Sequence, residues 1–339
     1  MRVLESVLKR DPRHVGANHY YIHTVEASPN PERALPSAER LASLVPNAGH
    51  LVHMPAHIYL QTGDYEAAAK ANERGAEVDR NYIKNTGATG VYPLMYYSHN
   101  LHFLAMVRMA QGRFAEAKKA ADQLAANVAP TVKEMPMLEG FVQAPVFVLL
   151  RFHKWAEILK LPAPDPKMAI SQAVWRYARG VALASTGDAK GAAVELSAFG
   201  EARKLVPAEV PFGLSSSESV FKVAGAVLAA HIAGGGQASI EYWKKAVEAQ
   251  DALSYDEPPD WYYPVRESLG AALLKSGQAA EAEAVFRADL KRNPRSGRSL
   301  FGLLESLKAQ KKTADAQWVQ SEFETAWKDS PLRLSIGDL

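Results

Sequence analysis

At 339 residues, with 47% hydrophobic and 22% charged residues, the chain has enough apolar material for one long folded domain or two, which excludes a disordered polymer. A net charge of +2, with acids and bases interspersed, provides no basic face for nucleic acid and no polybasic run for an anionic membrane. The absence of cysteine removes disulfides, thiolate metal sites and cysteine nucleophiles together.

Residues 1–10 are amphipathic, unlike a signal sequence, and read as the second helix of a unit whose first helix would lie upstream of Met1. Helices are then expected at 14–28, 31–45, 48–62 and 65–79, followed by a Gly-, Thr- and Tyr-rich loop from Asn81 to Pro93. The pattern continues with helices at 95–110, 114–127, 138–152 and 154–160. A Pro-rich linker over 161–166 divides an N-terminal part, 1–160, from a C-terminal part, 161–339. Further helices are expected at 169–186, 189–204, 217–233 and 238–252. Beyond Pro258-Pro259 come 263–275, 279–291, 297–309 and 314–328, and a tail from Pro331 with no helical signal. No apolar run reaches the ~20 residues of a membrane span, so a soluble protein is expected, its compartment left open.

A turn followed by an amphipathic helix recurs along the chain. Gly63-Asp-Tyr65-Glu-Ala-Ala68 returns in degraded form as Gly112-Arg-Phe114-Ala-Glu-Ala117, Gly187-Asp-Ala-Lys-Gly-Ala192 and Gly277-Gln-Ala-Ala-Glu-Ala282, with a basal spacing of 34 residues plus insertions. Prolines at Pro12, Pro46 and Pro294 and the pair Leu269-Gly270 fit the same unit. The chain therefore resembles the tetratricopeptide repeat family over nearly its whole length. The resemblance implies an all-α fold of about eight helix-turn-helix units stacked as a right-handed superhelix.

Seven of the ten histidines lie between His19 and His102. Residues three and four apart share a helix face, so His19/His23, His50/His53/His57 and His99/His102 each present imidazoles in one direction. In the family the first helix of each unit lines the concave groove through its second, fifth, ninth and twelfth positions. On that register His50, His53 and His57 occupy positions two, five and nine. His99 and His102 occupy two and five, and His19, His23 and Glu26 occupy five, nine and twelve. The candidate metal ligands are thus His19, His23, Glu26, His50, His53, His57, His99 and His102. His14, His153 and His231 are isolated and stay outside the set.

Imidazole with carboxylate and no thiolate suits a transition metal, zinc or copper first, then iron or manganese, and eight candidates exceed what one structural zinc needs. One reading is therefore a metalloprotein with one or two ions, a metal-dependent hydrolase or oxidase in which Glu26 is a ligand or the general base. His-Glu-x-x-His is absent, which removes the usual zinc peptidase. The alternative is a non-enzymatic scaffold holding a peptide, protein or small molecule in the concave groove. The family's basic clamp for a peptide carboxylate is missing: positions five and nine carry Gln143/Phe147 and Tyr177/Val181 in later units. The C-terminal groove, with Tyr177, Phe221, Glu267, Arg298 and Glu305, is mixed and suits a separate partner. The run Asp256-Glu-Pro-Pro-Asp260-Trp261-Tyr262-Tyr263 reads as a loop able to close over the groove or as a packed turn.

Overall fold

The computed structural model describes residues 1–207 and 210–339. Its helices follow the repeat pattern. After α1 (Arg2–Arg10) come α2 (Val15–Glu26) against α3 (Leu35–Leu44), then a broken helix α4 (Gly49–His53) and α5 (Pro55–Thr62) against α6 (Tyr65–Thr86). Next are α7 (Tyr97–Ala110) with α8 (Phe114–Val128), and a second broken helix, α9 (Glu139–Val142) and α10 (Ala144–Arg151), with the short α11 (Trp155–Leu159). The C-terminal units pair α12 (Ala169–Ser185) with α13 (Ala189–Lys204), and α14 (Ser217–Ala233) with α15 (Gly236–Asp251). They end with α16 (Val265–Lys275) against α17 (Ala279–Arg292), and α18 (Gly297–Ala309) against α19 (Thr313–Trp327). The architecture is all-helical, apart from a two-residue antiparallel ladder, Pro211–Phe212 with Ser215–Ser216. Among the described residues no helix is long and apolar enough to cross a membrane.

Several boundaries differ from expectation for identifiable reasons. The helix expected over 48–62 breaks at Pro55, and that over 138–152 breaks ahead of Pro145, because proline has no N–H to give to the preceding turn. α6 runs on into the expected loop and stops at Gly87, whose φ of 67° forms a left-handed C-cap. The tail is anchored: Trp327 Nε1 donates to the Leu332 carbonyl at 2.7 Å, Ser268 Oγ to the Leu339 carbonyl at 2.9 Å, and a short 3-10 turn covers Ile336–Asp338. The main apolar core runs unbroken from Ala76 past the Pro-rich 161–166 segment to the C-terminal units.

The later units return to the earlier ones. The turn at Gly63 approaches the Pro294 carbonyl so closely that a Cβ would sit 2.3 Å from it, and Tyr65 Oη donates to the same carbonyl at 3.1 Å. The Gly112 turn lies against Trp327 and Ser330 in the same manner. Next to this seam Asp289 is 1% exposed, with Ser299 Oγ donating to it at 2.6 Å and Asn293 Nδ2 at 3.0 Å. Burial, helped by the Glu267 charge, outweighs those bonds and pushes its carboxyl up to about 7. A folded-state value above the unfolded one favours the fold fully only below the unfolded value of ~4, and that contribution is lost as pH climbs through ~7. Asp289→Asn is therefore expected to raise unfolding free energy by about 2 kcal/mol at pH 8 and by little at pH 5, after discounting the ~1.4 kcal/mol per unit for relaxation. Urea melts at the two pH values measure this, and equal gains at both would refute it.

Between the two arms of the coil runs the loop 252–264. Trp261, Tyr262 and Tyr263 are all buried. Tyr262 stacks on Phe147 at 4.8 Å, Trp261 lies 5.6 Å from Tyr177, and the Tyr177 and Tyr262 hydroxyls bond at 3.0 Å. Phe147 and Tyr177 are groove positions, so the chain's own aromatic loop fills this part of the concave side.

Candidate metal centre

α2, the α4–α5 pair and α7 bring seven of the eight expected residues together. Three overlapping groups each offer ligand atoms within 4.8 Å of one another: His19, His23 and His50; His53, His57 and His99; and His23, Glu26 and His57. The break at Pro55 leaves His53 and His57 facing each other, Nε2 to Nε2, at 3.2 Å. His19 and His50 meet likewise at 3.1 Å, and His99 lies 4.8 Å from His53 ring to ring. Gly75 permits the close packing of α6 here, since a Cβ would come within 2.8 Å of that of His53.

His102 is the exception. One turn after His99, it packs edge-on to Phe141 of α9 at 5.6 Å and belongs to none of the three groups. A three-residue step rotates the side chain about 60° around the helix, enough to send it to the neighbouring unit. His14, left outside the set, accepts from Ala17 N at 3.1 Å as the N-cap of α2.

A residue that the sequence reading did not select completes the cluster. Glu257, carried in by the aromatic loop, places Oε2 3.0 Å from His57 Nδ1, opposite Glu26 Oε2 at 2.6 Å. Its other oxygen accepts from Gln61 Nε2 and Tyr255 Oη. The signal available was the acidic-aromatic run itself, whose partner nothing in the sequence specified.

Supporting contacts fix the protons. Asn72 Nδ2 donates to the Ala68 carbonyl at 2.8 Å, so its Oδ1, 3.1 Å from His53 Nδ1, must accept. His53 therefore carries its proton on Nδ1 and turns the Nε2 lone pair towards His57. With two carboxylates at Nδ1, His57 also keeps a proton there, and two bare Nε2 atoms 3.2 Å apart would repel. A proton or a metal ion must lie between them. Burial alone would depress His57, but the two carboxylates beside its Nδ1, Glu257 and Glu26, reverse it, pushing the imidazole up to about 9. The others go the opposite way: burial, then neighbouring imidazoles, hold His19 and His50 at about 4 and His53 and His99 well below the usual range. These four are neutral at pH 7, the form that ligates a metal.

The donor set fits a cation by another observation. Glu26 Oε2, Glu257 Oε2, His57 Nδ1 and His50 Nδ1 are buried without a hydrogen bond. The two carboxylate oxygens lie close to His57 Nδ1 yet off the line of its N–H. Converging donors that do not satisfy one another are costly unless something else does.

No protein-family model matches the chain, and no curated protein matches it. A solved structure titled "Structure of Naa15/Naa10 bound to HypK-THB" aligns over 93% of this chain at 16% identity with a TM-score of 0.32. The alignment spans 42% of that structure's chain, and a likeness this loose has no bearing on function.

Proposed function

We propose that this protein is a transition-metal protein holding two ions on the concave face of its N-terminal units. His53, His57 and His99 would hold a buried ion, and His19, His23 and His50 an outer one, with Glu26 as a carboxylate ligand between the two and Glu257 beside the buried one. The reading rests on one observation, the convergence of six imidazoles and two carboxylates from four separated stretches of chain. Imidazole with carboxylate and no thiolate suits zinc, copper, iron or manganese.

His23 is 37% exposed at the side chain, so the outer group is open to solvent, while the inner one is more enclosed, with His53 and His57 buried and His99 half-buried. An ion with a solvent-facing position supplies Lewis acidity and an activated water, the requirement of a metal-dependent hydrolase or oxidase. Glu26 fits a ligand better than a general base, because its oxygens already face His23 at 3.1 Å and His57 at 2.6 Å. The scaffold alternative is favoured by no comparable observation, and a peptide over the Phe147–Tyr177 stretch would have to displace the aromatic loop.

Elemental analysis of untagged protein, purified without a chelating resin, tests the proposal. One to two equivalents of a single transition metal are expected, falling to less than half in His53→Ala. A metal-free wild type that also fails to take up added zinc, copper, iron or manganese would end it.

A further inference from the structure

On the far side of the aromatic loop lies a cavity of about 570 Å³, open to solvent on one side and lined by α10, α11, α12, α14, α15, α16 and the C-terminal turn. That volume is within the range of small-molecule sites. Trp155, Trp243, Tyr262 and Tyr263 give it flat apolar walls, with His153 stacked on Trp155 at 4.8 Å and His231 edge-on to Trp243 at 5.2 Å.

Its charge is one-sided. Arg151 and Lys275 line it, and Glu267 is paired with Arg151 at 2.7 Å, whereas Lys275 makes no ion pair among the described residues. Arg298 stands close behind, 1% exposed, with Nε and Nη2 lacking any hydrogen-bond partner. Its Nη1 donates to the Asp338 carbonyl and the Glu267 and Asp338 carboxylates favour its charge, but burial outweighs them, so the unmatched N–H groups remain costly. Gly234, Gly235 and Gly236 complete the lining where α15 begins, and no side chain caps that helix. Its first amides are therefore free to receive an acceptor. The imidazoles register the same field: burial, then Arg298, Arg151 and Lys275, hold His153 at about 4 against the opposing Asp338, and burial with His153 and Lys275 does the same to His231.

We propose that this cavity binds a small aromatic anion, a ring bearing a carboxylate or phosphate, with the charge met by Lys275, Arg151 and the α15 amides and the ring by Trp155 and Trp243. The inference does not depend on the metal reading. The two sites share only the loop between them.

Titration of the full chain with benzoate, phenyl phosphate and neutral benzyl alcohol, followed by tryptophan fluorescence and calorimetry, tests it. At least one anion is expected to bind below ~1 mM and the alcohol at least ~10-fold more weakly, a gap of about 1.4 kcal/mol. The tighter of the two anions identifies the head group. Lys275 is exposed, so Lys275→Met should fold normally and weaken the anion about 10-fold. An anion held at the histidine cluster would be indifferent to that change. Equal binding of the alcohol, no anion binding below ~10 mM, or affinity unaltered in Lys275→Met would each overturn the proposal.

Discussion

Replacing His57 with alanine is expected to strip the protein of at least half of its bound metal and to weaken what remains by about 100-fold, more than any other single substitution in the cluster. His57 is the residue common to the buried imidazole group and to the carboxylate group. Its Nε2 faces His53 at 3.2 Å and its Nδ1 faces Glu26 and Glu257 at 2.6 and 3.0 Å. Alanine would leave those carboxylates facing one another, with side chains 10% and 2% exposed and without the positive group between them. Removing one partner of a buried charge pair costs about 3–5 kcal/mol, so the variant should also be less stable at neutral pH. Chelator competition and elemental analysis give the first quantity and urea unfolding the second. His102→Ala is the matched control, because its ring packs on Phe141 away from the cluster. Metal content equal in wild type and His57→Ala would sink the assignment.

The second large effect belongs to Trp261. The indole is 1% exposed and packed among Phe147, Tyr177 and Tyr262, so Trp261→Ala should cost about 3–5 kcal/mol through the cavity it leaves. The loss should extend beyond stability. Glu257 sits four residues earlier on the same loop and reaches His57 only while the loop is seated. Metal affinity should therefore fall with stability in Trp261→Ala, although Trp261 touches no ligand. An unfolding curve shifted as expected, with chelator competition unchanged, would show that the loop merely fills space.

Much of this was readable in the sequence because it is local or periodic. Turn residues at Gly63, Gly112, Gly187 and Gly277 and the 34-residue spacing specify paired helices, and the groove positions come from the repeat family that this spacing resembles. His19, His23, Glu26, His50, His53, His57 and His99 meet because each sits at a groove position on adjacent units. His102 occupies such a position by count, yet the broken α9–α10 helix brings Phe141 against it, and that depends on a partner outside its own unit. Glu257 was illegible for a stronger reason. It meets His57 across 200 residues, only because the last units return to the first, and no period in the chain encodes that return. The order of the tail from Pro331 was illegible for a similar reason: it has no helical signal, and its end is held by a tertiary bond from Ser268, with a local one from Trp327 to Leu332.

The seam formed by Tyr65 with Pro294, and by the Gly112 turn with Trp327, alters how such a molecule comes apart. A linear stack, in which each unit touches only its neighbours, can unzip from either end. Here the last two helical pairs brace the Gly63 and Gly112 turns across more than 200 residues of chain. Contacts so remote in sequence raise the contact order, which slows folding and opposes piecemeal melting. Loss of the last helical pair would therefore be felt at the Gly112 turn, just past the helix that carries His99.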